Sequence, residues 1–187
     1  PISIAKPLTL DTFMALGSDA RVEVMNGEVV EMSPVGGLHH IIAGNLQRIL
    51  DQYVFARKTG IVFPDGLIYL MHSKSAGLKD SFVPDVSYLH KDSIPKDWDV
   101  TRPFPGAPDL AVEIVSPGDD ALKLNQKVRT YLEKGTIQVW VVYPDSGELH
   151  QFRRDASDRA HIYQLEGGND HLTDIDPLFP ELELTLQ

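Results

Sequence analysis

The stretch Pro108-Asp109-Leu110-Ala111-Val112-Glu113-Ile114-Val115-Ser116 constrains this chain more than any other. Side chains alternate across a strand, so Leu110, Val112 and Ile114 share one face while Asp109, Ala111 and Glu113 share the other. Upstream, Phe82-Val83-Pro84-Asp85-Val86-Ser87-Tyr88-Leu89 again sets an aspartate after a proline at a strand entrance. Downstream, a helical pattern carries Lys123, Lys127, Arg129 and Lys134. Two acidic strands followed by a lysine-bearing helix are what a divalent-metal phosphodiesterase site requires.

Glu113 is the hardest of these residues to explain as surface. Flanked by Val112 and Ile114, its carboxylate stands where β-propensity disfavours it and where burial without a partner is costly. A cation or metal is the usual compensation; an edge-strand surface glutamate is the plainer alternative. Pro-Asp at 64–65 and 144–145 belongs to turn sequences, so Asp85 and Asp109 also have a plain reading as loop caps.

With 187 residues, 42% of them hydrophobic and 24% charged, the chain is expected to form one folded domain over 1–187. Cysteine is absent, which excludes disulfides and thiolate metal sites and suits a cytoplasmic protein. No apolar run approaches the ~20 residues of a membrane helix, and no signal-peptide pattern opens the chain. A net charge of −10 argues against a DNA-coating protein. It does not exclude a nuclease, because a bound metal ion reverses the local field.

Hydrophobic periodicity predicts a short helix from Thr9 to Leu16, stopped by Gly17, and two strands within Arg21–Met32 joined at Asn26-Gly27. A long helix follows from about Leu38 to Lys58. His39, Ile42, Leu46, Ile49 and Tyr53 form its apolar stripe, widened by Ile41, Leu50 and Val54. Strands are expected at Ile61–Phe63, Gly66–Met71, Val83–His90 and Leu110–Val115, with an exposed loop at 91–108. A helix from about Asp120 to Lys134 ends at Gly135, and Ile137–Val142 reads as a central strand covered on both faces. Glu148–Arg153 and His161–Leu165 add two more. The class is α/β, a mixed sheet with a helix on each side.

In the second long helix Ala121, Leu124, Val128, Tyr131, Leu132 and Gly135 define the inner face. Lys127 falls about 60° from Leu124, on the stripe's edge, from which its ammonium reaches either the sheet or water. His39 on its own stripe reads first as a core histidine and second as a substrate contact. The other histidines lack metal-ligand spacing, and neither a Gly-x-Ser-x-Gly elbow nor a phosphate-binding glycine loop occurs.

Several segments in order, Gly27-Glu28-Val29-Val30-Glu31-Met32-Ser33-Pro34, His39, Val83-Pro84-Asp85-Val86 and Pro108 to Pro117, resemble the Uma2 family of restriction endonucleases. Lys127, Tyr131, Gly135, Val139 to Pro144 and Phe179 to Leu184 extend the likeness over about 9–186. The resemblance implies the PD-(D/E)XK nuclease fold: a restriction-endonuclease-like central mixed β-sheet flanked by helices, preceded by an N-terminal helix and β-hairpin. It implies a DNA endonuclease using Mg²⁺ or Mn²⁺, with Asp85 and Glu113 as metal ligands. The commonest motif places lysine two residues after the glutamate, where this chain has Val115. Related families move it to the following helix, which makes Lys127 its substitute and the third catalytic residue. His39, Glu28 and Asp109 are assigned substrate-contact or accessory roles. A homodimer follows from the need for two cuts, its interface expected on the N-terminal hairpin or on Leu178–Leu186. The alternatives are a nuclease-fold binding or regulatory module that does not cleave, and a phosphohydrolase of small substrates.

Overall fold

The computed structural model describes residues 9–15, 21–73, 77–154, 160–164, 170–171 and 176–184. A short helix α1 (Leu10–Met14), in which the Thr9 hydroxyl accepts the Thr12 amide, precedes the hairpin β1 (Val22–Met25) and β2 (Glu28–Glu31). Asn26 and Gly27 take φ values of 52° and 83°, the left-handed pair that a two-residue turn between twisted strands requires. Helix α2 (Gly37–Arg57) follows, stopped by Lys58 in the left-handed region. Then come β3 (Gly60–Pro64), β4 (Tyr69–Ser73), β5 (Gly77–Phe82), β6 (Val86–His90) and β7 (Leu110–Ile114).

Helix α3 (Ala121–Lys134) is capped by the Asp120 carboxylate and ended by Gly135 at φ 115°. Strands β8 (Gln138–Tyr143), β9 (Glu148–Arg153), β10 (Ala160–Gln164), β11 (Asp170–His171) and β12 (Glu183–Leu184) complete the order. The predicted stop at Gly17 and the end of the last predicted strand at Leu165 lie outside the described residues.

Six strands form the central sheet in the order β10-β9-β8-β7-β6-β3, antiparallel except for the parallel β7–β8 pair that α3 connects. Strand β7 therefore lies inside the sheet, and its alternation divides the protein. Leu110, Val112 and Ile114 pack with Leu46, Leu50 and Val54 of α2, whereas Ala111 packs on the other face with Val128, Tyr131 and Leu132 of α3. Glu113 shares that second face.

The hairpin joins β5 and β4 in a separate four-stranded sheet ordered β2-β1-β5-β4. Strand β5 escapes sequence reading because Gly77-Leu78-Lys79-Asp80-Ser81-Phe82 is poor in strand formers. Pairing on both sides holds it there, and Asp80 accepts the Asn26 amide at 2.9 Å.

Other expectations need correction. Strand β4 starts later than Gly66, and β6 starts at Val86 because Pro84 has no N–H to give a ladder. The 91–108 connection is not wholly exposed: Phe104 is buried against Tyr69 and Leu89 and bonds the backbone of Ile68 and Leu70. Ile41 and Ala121 face water rather than the core. In the described part of the C-terminal stretch, Phe179, Leu182 and Leu184 are buried in the α2-side core rather than exposed.

Phe179 packs edge-on against Tyr53, Tyr88 and Trp140. Asp176 secures this segment, accepting hydrogen bonds from Gln138, Gln151 and the amides of Leu178 and Phe179.

Candidate active site

Asp85 reaches its position by backbone pairing just before β6. Its amide donates to the Val112 carbonyl at 3.0 Å, and its carboxylate Oδ2 accepts the Ile114 amide at 2.7 Å. The same oxygen lies 3.1 Å from Nε2 of His39, near the start of α2. Both contacts fall on Oδ2 rather than Oδ1. His39 is buried and its Nδ1 has no hydrogen-bond partner among the described residues. The hydrogen bond to Asp85 raises the His39 pKa above 6.5; burial opposes this, and the negative charges of Asp85, Asp65 and Asp119 reinforce it.

Glu113 projects from β7 toward α3. Its Oε2 accepts from Lys127 Nζ at 2.8 Å and its Oε1 from the Tyr131 hydroxyl at 3.0 Å. The four-residue step from Lys127 to Tyr131 puts both donors on one helix face.

Glu23 of β1 closes the cluster, its Oε1 2.8 Å from the same ammonium and 2.8 Å from the Val83 amide that donates to it. Burial raises the Glu113 carboxyl; Lys127 opposes that shift, and Asp85 and Glu23 add to it. For Lys127, burial works against the charge, but Glu113 and Glu23 outweigh it and hold the ammonium protonated. Burial, then the two glutamates, keeps Tyr131 a neutral phenol that donates.

Asp85, His39, Glu113, Glu23 and Lys127 line one cleft of about 190 Å³ between the two sheets and the start of α3. Six carboxylates, from Glu23 to Asp120, face it against Arg21, Lys123 and Lys127. The structure thus brings together Asp85, Glu113, Lys127 and His39. It does not bring Glu28, which is exposed on β2, or Asp109. The Asp109 carboxylate instead accepts the His90 amide at 2.6 Å and the Ser93 hydroxyl at 2.9 Å, tying down the single 3-10 turn Lys91–Ser93 after β6.

Sequence reading missed Glu23. Its signal was available, a glutamate between Val22 and Val24 in a strand, the same anomaly that marked Glu113. Its partner lies 104 positions away, and no local pattern announces that.

A mixed sheet flanked by helices, with acidic strands facing a helix-borne lysine, defines a protein of the restriction-endonuclease-like nuclease fold. The chain belongs to the Uma2 family, whose model, described as "Putative restriction endonuclease", matches residues 10–187. Among solved structures it is similar to a protein from Anabaena variabilis titled "a putative nuclease belonging to DUF820". The two share 23% identity with a TM-score of 0.78, over 96% of this chain and 95% of that one. No curated protein matches.

Proposed function

We propose that the protein is a Mg²⁺- or Mn²⁺-dependent endonuclease that hydrolyses DNA phosphodiester bonds. The observation carrying this reading is the approach of Asp85, Glu113 and Lys127 to one cleft from two paired strands and the helix behind them. Membership of the Uma2 family supports the nuclease class.

The donor set suits a hard divalent ion, which takes one or two carboxylates and completes its shell with water and phosphate. Asp85 Oδ1 and Glu113 would hold it, Glu113 by giving up its bond to Lys127. Such an ion lowers the pKa of water and offsets charge on the scissile phosphate. Lys127 would present its ammonium to a phosphate oxygen, where a fixed positive charge favours the transition state. The Ile114 amide and His39 keep the Asp85 carboxylate from rotating.

One observation favours a non-cleaving, DNA-binding module as the second reading. Both Glu113 oxygens are already engaged, and among the described residues no group of three or more His, Asp or Glu side chains is arranged to hold a metal. Plasmid cleavage in Mg²⁺ or Mn²⁺, native protein beside Glu113→Gln, separates the two. The endonuclease reading expects chelator-sensitive cleavage that the substitution abolishes. Equal rates for both proteins reject the assignment; DNA binding without any cleavage supports the module.

Double-strand cutting would need two clefts, which a cytoplasmic homodimer supplies. Among the described residues no helix is long and apolar enough to cross a membrane.

A further inference from the structure

Glu23 takes no part in the chemistry proposed above, yet it makes one of the two shortest contacts to Lys127. The ammonium lies between Oε1 of Glu23 and Oε2 of Glu113, 2.8 Å from each. Glu23 is itself 8% exposed, and its Oε1 also accepts the Val83 amide, two residues before Asp85. We propose that Glu23 is a positioning residue that keeps Lys127 in the cleft when Glu113 turns to a bound divalent cation. The inference rests on the metal-dependent reading of the site.

The physical need is direct. A cation at Glu113 takes the oxygen that Lys127 uses and repels its charge. A lysine stem has four flexible carbons, so an ammonium without a second anchor leaves for water. Tyr131 offers no such anchor, because its hydroxyl donates to Glu113. The Phe82 ring, 5.5 Å from Nζ, adds only a weak attraction. Among the described residues, Glu23 is the other carboxylate in contact with the ammonium. It belongs to the other sheet and is fixed by a backbone amide, so its place does not depend on how Glu113 is occupied.

Two measurements test this, both with Glu23→Gln, whose amide oxygen still accepts from Val83. The first uses metal-free protein and reads by mass spectrometry the rate at which an amine-acylating reagent modifies Lys127. Native protein and Glu113→Gln serve as references, and exposed Lys123 is the internal standard. Loss of the Glu23 charge is expected to speed acylation of Lys127 about tenfold and to leave Lys123 unchanged. No change at Lys127 overturns the proposal.

The second measures Ca²⁺ affinity by calorimetry for native protein, Glu23→Gln, Lys127→Met and the double variant. Glu23→Gln is expected to weaken Ca²⁺ binding at least about threefold, and this factor should shrink once Lys127 is gone. The same factor in both backgrounds means Glu23 acts on the ion by its own charge, which also overturns the proposal. Native protein that binds no Ca²⁺ removes the metal reading and the retention role with it. The acylation rates still decide whether Glu23 holds Lys127.

Discussion

Asp85 brackets Glu113. The backbone amide of Asp85 bonds the carbonyl of the residue before Glu113, and its carboxylate bonds the amide of the residue after it, at 3.0 and 2.7 Å. Displacing either residue therefore displaces the other. The two acids form one rigid fixture rather than two side chains that happen to meet.

Lys127→Ala leaves Glu23 and Glu113 facing each other across the cleft without a cation. Removing one partner from a buried ionic group costs about 3–5 kcal/mol. Urea unfolding at neutral pH should show a loss of that order. A loss under about 1 kcal/mol would mean that water already screens the cluster.

Tyr131→Phe removes one donor from Glu113 and little volume. A hydrogen bond to a charged group contributes about 1.5–3 kcal/mol, so unfolding stability should fall within that range. On the proposed endonuclease reading, plasmid cleavage should slow without disappearing, because Asp85, Glu113 and Lys127 still line the cleft.

The His39 pKa is raised above 6.5 in the folded protein, so the His39–Asp85 pair stabilises the fold fully below that value. The contribution is lost as pH rises through the folded value. The stability gap between native protein and His39→Gln should narrow from pH 5.5 toward pH 9. A gap that widens over this range would contradict the pairing, and the ring-proton titration of His39 gives an independent check.

Phe179→Ala should destabilise the monomer, not split a dimer. Phe179 is fully buried among three aromatic rings of its own chain, where truncation costs about 3–5 kcal/mol. The sedimentation coefficient of the folded fraction should match that of native protein.

Much of the architecture was legible because it rests on local patterning. The apolar stripe of α2, the Asn26-Gly27 turn, the Gly135 stop and the alternation of β7 each follow from residues close in sequence. The pairing of Glu113 with Lys127 was legible for the same reason, since one strand and the next helix carry both. What escaped depends on contacts between distant segments. Strand β5 lacks strand formers and is held by its neighbours on both sides. Phe104 looks like loop until it meets Tyr69 and Leu89. Asp109 and Glu113 share a strand face in sequence, yet Asp109 turns its carboxylate to the backbone beyond β6.

The bonds made by Asp176 carry a consequence for how the cleft comes into being. Among the described residues, every one facing the cleft lies at or before Lys127, whereas the segment from Asp176 packs on the opposite face of the sheet. A ribosome-bound chain thus exposes all of its cleft-lining groups before Trp140 and Tyr88 have met Phe179. The nascent protein owns its acids and its lysine early but lacks the stiff backing that aims them. The wedge that stiffens the sheet is made only after the cleft residues, and it enters from the face opposite the cleft.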